Sequence, residues 1–446
     1  MGGAARVRRG AMRFGVERRD RPASERRAER GGTGRSPARR RCVGRPIAKA
    51  RGMTHSPLRV AVPLGGTDRG RSGLGTWVQA VLPRLARRLR ARGGELLAIG
   101  TPRDLDAYAA VLGEARPETL PAALDRAGAS AGWHLAALGR LARRRGADAV
   151  LLPAANRRLS LGGPPTLAVV HDLAELHVRG KYHALRTPYV EHVVPRALRR
   201  AAAVVAVSGA TRDDLVRHAG LAATAVRVVP NGVDVERFRP GRAPAALRAE
   251  LRQALGFRGP FVYYPARLEL PGKNHLRLLE AFARAARAGA LPHHLVLTGS
   301  DWGAWARIDA RARELGVRER LAWLGRVDAA WVPALVQEAD AIAMPGLFEG
   351  FGLPALEGLA CGTPVACSDT GALPEVVGEL GVRFDPRSPE DMARALATAL
   401  THPVVRRRAA EEGPAWAARR SWCRTAARLD ALLEEIAVAP GKAVAA

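Results

Sequence analysis

The stretch AIAMPGLFEGFGLPALEGLACGTPVAC, Ala341 to Cys367, decides the fold of this chain. Ala341-Ile342-Ala343-Met344 is a short apolar run with the length of a buried strand. Pro354 fixes φ and lacks an N–H, which suits the first position of a helix, so a helix is predicted to start there. Gly362-Thr363-Pro364 ends it, and Val365-Ala366-Cys367 supplies the next strand. Strand, glycine-rich loop, helix, strand is the unit of a parallel α/β sheet. Within it stand two carboxylates, Glu349 in the loop and Glu357 in what should be the first turn of the helix. Gly350 and Gly352 let the backbone turn and let a ligand approach closely. The free N–H groups of a helix start offer an anion site. Carboxylates accept hydrogen bonds from vicinal hydroxyls. Phosphate plus hydroxyls describes a nucleotide sugar. The same spacing fits two solvated acids that complement a helix dipole, and the residues alone leave both open.

Working outward, the pattern repeats on both sides. Leu58 to Val62 reads as a first strand, followed by the glycines 65, 66, 70, 73 and 75 and by a helix over 76–92 with Val78, Val81, Leu82, Leu85 and Leu89 on one face. Further strands are predicted at 96–99, 149–152, 166–170, 203–207 and 227–230, with helices over 132–145, 188–200 and 210–219. Ser208 is an N-cap, and Asn231-Gly232 reads as a turn pair. Segment 101–130 gives only weak helix. A second half begins near Phe257, with strands at 261–265, 295–297, 321–324, 341–344, 365–367 and 381–384, and helices over 275–288 and 305–315. The fold class is therefore α/β, two facing Rossmann-like parallel-sheet domains with a cleft between them, a favoured place for a ligand. The domains are expected at 57–240 and 241–418, with 419–446 a final helix and tail.

The chain has 446 residues and a formal net charge of +29, which invites a nucleic-acid reading. The distribution weakens it. Residues 1–52 carry 17 Arg and Lys against 4 Asp and Glu. This segment lacks apolar periodicity and reads as a disordered extension, 1–56. It also lacks the apolar core of a signal peptide. Met53 opens MTHSPLRVAVPL directly ahead of the first strand, so an upstream start-codon miscall with Met53 as the true start is the expectation. Cys42, Cys361, Cys367 and Cys423 show no CxxC spacing; this predicts a reducing cytoplasm and no structural zinc.

Among the basic residues only Lys49, Lys181, Lys273 and Lys442 are lysine, and Asn156, Asn231 and Asn274 are the only asparagines. In so arginine-biased a chain, the adjacent pair in PGKNH, Pro271 to His275, points to chemistry. Arg267 and Lys273 share one strand-to-helix loop. Two such cations can clamp a pyrophosphate and stabilise charge on a departing nucleoside diphosphate; the pattern also fits a solvated basic loop.

With these motifs in place the sequence resembles glycosyltransferase family 4, retaining transferases of the GT-B fold. The resemblance runs from about Val60 to Trp422. It rests on EGFGLPALEGLACGTPVACSDTGALPEVVG, on Arg267 and Lys273, on VVPNGVD (Val228 to Asp234), on VVHDL (Val169 to Leu173) and on VAVS (Val205 to Ser208). It implies that Glu357 holds the donor ribose and that Glu349 faces the donor sugar. Gly350, Phe351, Gly352 and Leu353 bring backbone to sugar and phosphate, and Arg267 and Lys273 bind the diphosphate. Gly73 approaches from the other domain, and His171 sits near the reacting carbon. Ser421-Trp422 matches a final helix that crosses back onto the first domain. The implied donor is a nucleotide sugar, with GDP-mannose the first guess, and the acceptor a glycan or lipid-linked molecule of cell-surface polysaccharide or glycolipid synthesis. No metal or other cofactor and no nucleic acid are implied, and the location is cytoplasmic. A peripheral contact with anionic membrane is compatible with the Arg-rich stretches 82–92 and 138–145. MPGLF departs from the usual Pro-Ser pair, since Gly346 has no hydroxyl. Asp104-Leu105-Asp106 has a metal-binding look but reads as surface, and His177, His183 and His192 do not make a metal set. Two alternatives stay open: another GT-B nucleotide-sugar enzyme such as an epimerase, and a basic nucleic-acid- or membrane-binding protein without catalysis.

Overall fold

A computed structural model describes residues 57–178, 188–289 and 291–438. The basic segment 1–56, His183 and the tail after 438 lie outside the described residues.

Seven strands form the first sheet: Arg59–Pro63 (β1), Glu95–Gly100 (β2), Arg116–Thr119 (β3), Ala149–Leu152 (β4), Thr166–Val170 (β5), Ala203–Ala206 (β6) and Val226–Val228 (β7). Their order is β3-β2-β1-β4-β5-β6-β7, and every pairing is parallel. The second sheet holds Phe261–Pro265 (β8), His294–Thr298 (β9), Leu321–Trp323 (β10), Ala341–Met344 (β11), Val365–Ser368 (β12) and Val382–Phe384 (β13). Its order is β10-β9-β8-β11-β12-β13, again all parallel. Helices cover both faces, so the central strands carry unbroken apolar runs rather than an alternation; all four residues of β4, β11 and β12 are buried.

Each order reverses once, between β1 and β4 and between β8 and β11. In open parallel sheets ligands bind outside the strand carboxyl ends at such a switch point. The helix Gly73–Arg90 leaves β1 with Leu74, Trp77, Val78, Val81, Leu82, Leu85 and Leu89 buried, the i, i+3, i+4 stripe of a core-facing helix. The helix Gly209–Ala219 is capped as predicted: Ser208 Oγ accepts from Thr211 N at 3.0 Å.

Four local readings need correction. The helix predicted over 132–145 is two helices, Ala127–Ala136 and Leu138–Arg144. The segment 101–130, read as weak helix, holds the helix Pro102–Tyr108 but also an edge strand, β3, whose sequence RPET offers no apolar pattern; its register comes from β2, with Leu97 opposite Arg116. Asn231-Gly232 is not a turn but a docking point. A Cβ on Gly232 would lie 2.2 Å from Trp422 N, Val233 N donates to Arg420 O at 2.9 Å, and Thr425 Oγ1 donates to Pro230 O at 2.8 Å. Here the chain returns to the first sheet's side, and the final helix Trp422–Val438 packs on the helix Gly73–Arg90. The buried Asp430 holds Arg92 at 2.6 Å and Arg88 at 2.8 Å.

Asp104, expected on the surface, is buried. It pairs with Arg69 at 2.7 Å and closes a capping box with Thr101. Arg69 also reaches Asp125 at 2.6 Å, and Tyr108 Oη accepts from Gly70 N at 3.0 Å while donating to Thr67 O at 2.8 Å. The segment that the sequence left unread therefore buttresses the glycine-rich loop after β1.

Candidate active site

The two sheets turn their strand carboxyl ends toward one cleft, which encloses a cavity of about 410 Å³, within the ordinary range of ligand pockets. Every candidate catalytic and donor-binding residue lines it: Gly73 and His171 from the first domain, Arg267, Lys273, Glu349, Gly350, Phe351, Gly352, Leu353 and Glu357 from the second.

Lys273 reaches the site because its loop is stapled to the loop that carries Glu349. Leu347 N donates to Gly272 O at 3.0 Å. Asn274, at a left-handed φ of 56°, donates through Nδ2 to Pro345 O at 2.9 Å and to Pro386 O at 2.7 Å. Tyr264 Oη donates to Lys273 O at 2.8 Å. Lys273 Nζ then lies 2.7 Å from Glu349 Oε1. Arg267 is held the same way, 2.6 Å from the buried Glu269, with its guanidinium 4.5 Å over the Trp302 ring. Both cations are thus pre-oriented by a carboxylate before any ligand arrives.

Gly346, which departs from the family pattern, now has a physical account. A Cβ there would stand 2.7 Å from Glu349 Oε1, so the glycine leaves room for the carboxylate that meets Lys273. Gly350 also differs from its sequence reading. Its near neighbours belong to the other domain rather than to a ligand: an added Cβ would lie 2.0 Å from His171 O and 2.7 Å from Asp172 Cβ. Gly352 has a φ of 92° and precedes the helix Leu353–Cys361. Glu357 lies one residue beyond the first turn of that helix, not within it.

The Glu357 carboxylate accepts no hydrogen bond among the described residues. Burial pushes its pKa up to about 7, offset only in part by Arg237. An unpaired carboxyl held in a cavity wall is a candidate for ligand contact. His171 is driven the other way: burial lowers its pKa to about 4, so it is neutral at pH 7. Nε2 lies 2.9 Å from Pro153 O and must donate to that carbonyl, which leaves Nδ1 as an acceptor. The Trp77 ring meets its edge at 5.6 Å.

Sequence reasoning missed Arg71, Ser72, Asn156, Arg157, Asn231, Thr298 and Arg326, all in the cavity lining. One signal was present. Two of the three asparagines line the cavity and the third fixes the loop beneath Lys273. Asn156 Nδ2 donates to Asp172 O at 3.0 Å, and Asn231 Oδ1 is buried with no hydrogen-bond partner among the described residues. The histidines rearrange as well. His192 is exposed and apart, while His177 meets Asp214 and His218.

Two parallel-sheet domains facing across a cleft built from strand ends define the GT-B class. Residues 78–237 match the family model Glycosyltransferase Family 4, and residues 248–416 match Glycosyl transferases group 1. The D-inositol 3-phosphate glycosyltransferase of Saccharomonospora viridis is 34% identical over 300 residues, which cover 63% of this chain and 67% of that one. The enzyme of that name from Corynebacterium jeikeium is 33% identical, covering 50% and 55%. O-antigen chain mannosyltransferase B of Escherichia coli is 30% identical, covering 56% and 65%. Across several of the curated relatives it matches, the chain spans about half of their length. Among solved structures, sucrose-phosphate synthase from Thermosynechococcus elongatus aligns with a TM-score of 0.68 at 19% identity, covering 86% of this chain and all of that one. HepE from Anabaena, solved with UDP and glucose, aligns at 0.65 and 19%, covering 85% and all of that chain. The chain belongs to glycosyltransferase family 4.

Proposed function

We propose that the protein is a retaining glycosyltransferase that moves a hexose from a nucleoside-diphosphate sugar to a hydroxyl of a glycan or lipid-linked acceptor. The observation that carries this is the convergence of Arg267, Lys273, Glu349 and Glu357 on one wall of a cavity whose other wall holds His171 and Gly73. In this reading Glu357 accepts from the donor ribose hydroxyls. Arg267 and Lys273 exchange part of their carboxylate contacts for the diphosphate and stabilise the charge that grows on it as the glycosidic bond breaks. The backbone from Phe351 to Leu353 meets the sugar and phosphate. Glu349, fixed by Lys273, faces the sugar hydroxyls. A departing phosphate oxygen takes the acceptor proton, so no side-chain base is required. Neutral His171 orients a sugar hydroxyl through Nδ1. No metal is required in this scheme, because two side-chain cations and a helix start supply the positive charge.

For the donor, GDP-mannose remains the first candidate; the likeness to a protein named as a mannosyltransferase supports it, and the UDP bound to a structural neighbour keeps UDP sugars in the test. Among the described residues no helix is long and apolar enough to cross a membrane, and a peripheral contact is part of the proposal only for a lipid-linked acceptor. The test is a thermal-shift series with GDP, UDP, ADP and their sugars, with and without added metal. A ligand at 100 times its dissociation constant stabilises by about 2.7 kcal/mol. A shift for one base, lost in Lys273→Ala and in Glu357→Ala, is expected. No shift with any nucleotide in folded protein would overturn the reading.

A further inference from the structure

A second set of chemically active side chains lies beside the cleft, on the first domain. His177 ends the short helix Ala174–His177 that follows β5. Asp214 and His218 stand four residues apart on the helix Gly209–Ala219, a spacing that puts both on one face. Each offers one ligand atom, and the three atoms lie within 4.8 Å of one another. His177 Nε2 is 2.8 Å from Asp214 Oδ2. The carboxylate is buried, with 7% of its side chain exposed, whereas both imidazoles open to solvent.

The arrangement asks more than an ordinary ion pair does. One imidazole meets the carboxylate at 2.8 Å, yet a second offers a ring nitrogen within 4.8 Å of it. The His177 and His218 rings meet edge to face at 5.9 Å. The His177 ring is also fixed in plane, stacked on Phe348 at 4.0 Å and 5°. We propose that His177, Asp214 and His218 form a site for a divalent transition-metal ion, zinc above all. Two imidazole nitrogens and one carboxylate oxygen, with a water from the open side, complete a tetrahedral set. Imidazole ligands select zinc and its neighbours over magnesium and calcium, which take oxygen. Bound atoms in such a shell lie about 3.3 Å apart, so the set closes by rotamer adjustment of the exposed His218. Coordination through His177 Nε2 breaks its hydrogen bond to Asp214, and the ring then carries its proton on Nδ1.

The location gives the ion something to act on. Phe348 immediately precedes Glu349, which pairs with Lys273 in the cleft. An ion that fixes His177 joins the end of β5, the helix Gly209–Ala219 and the loop of Glu349 at one point. This site does not depend on which donor the cleft takes.

The test uses the full chain, stripped with chelator and titrated with zinc alone by calorimetry, with magnesium as the comparison. One zinc per chain is expected, with an upward thermal shift and no binding of magnesium at the same concentration. His218→Gln changes an exposed side chain, so it should fold, and it should weaken zinc binding at least tenfold; His177→Gln should do the same. His192→Gln, an exposed histidine elsewhere, should leave the affinity unchanged. Cobalt in place of zinc should give the visible absorption of a tetrahedral site, absent in His218→Gln. No stoichiometric zinc binding, or equal affinity in His218→Gln and the parent, overturns the proposal.

Discussion

The two walls of the cleft are built differently. The second domain's wall comes mainly from two loops, 267–273 and 346–352, the second running into the helix Leu353–Cys361, and they are stapled together by Asn274, by Leu347 to Gly272 and by the Lys273–Glu349 pair. The first domain's wall is gathered from the ends of several strands: the loop after β1, Asn156 and Arg157 after β4, His171 after β5, Asn231 after β7. One wall carries charges already neutralised by carboxylates. The other carries a histidine kept neutral by burial. The difference teaches that a wall of charged side chains can be written locally, whereas the wall that faces it depends on the packing of a whole domain.

The comparison breaks most sharply at Lys273. Lys273→Ala removes the cation that the proposed function assigns to the diphosphate and leaves Glu349 without its ion-pair partner. Transfer assays should show kcat/KM down by about a thousandfold, with nucleotide binding lost; a loss under tenfold would move the diphosphate elsewhere. Gly350→Ala separates the walls. The atoms nearest the new methyl belong to His171 and Asp172 of the other domain. The second domain should therefore bind nucleotide within about threefold of the parent, while transfer falls by about a hundredfold because the walls are held apart. Equal loss of both would tie Gly350 to donor binding alone.

Glu357→Gln gives a smaller, pH-dependent effect. The folded protein holds this proton up to about pH 7, against an ordinary value near 4.5. Between those values the folded state binds a proton that the unfolded chain has released. Stability from this group is full below the unfolded value, falls as pH rises through the window, and levels above pH 7. Melting curves from pH 5 to 8 should show Glu357→Gln gaining on the parent, while its nucleotide shift shrinks by about tenfold in affinity at pH 8. A variant that tracks the parent at every pH would remove Glu357 from the buried wall. The mildest change is Asp430→Ala at the final helix. It releases Arg88 and Arg92 and should cost about 2 kcal/mol, read as a melting point lower by a few degrees with nucleotide affinity unchanged.

Much of the site was legible because it is local. Arg267, Lys273, Glu349 and Glu357 each lie on a loop or first helical turns directly after a strand, where spacing alone fixes the direction of the side chain. The rarity of asparagine points to Asn274 and equally to Asn156 and Asn231. What was not legible was not local. The sequence RPET carries no strand signal, yet it pairs with β2. Asp104 looks like a surface acid until Arg69 folds onto it. Gly350 reads as room for a ligand, but the room is taken by His171.

The sequence by itself determined the alternation of strands and helices, the two parallel-sheet domains and the chemistry of the second wall, because hydrophobic period and loop position are properties of contiguous residues. Only the tertiary structure decided how Glu357 and His171 titrate, what Gly346 makes room for, and which residues share the first wall. Burial and contact between residues far apart in the chain set those properties, and neither exists until the chain has packed.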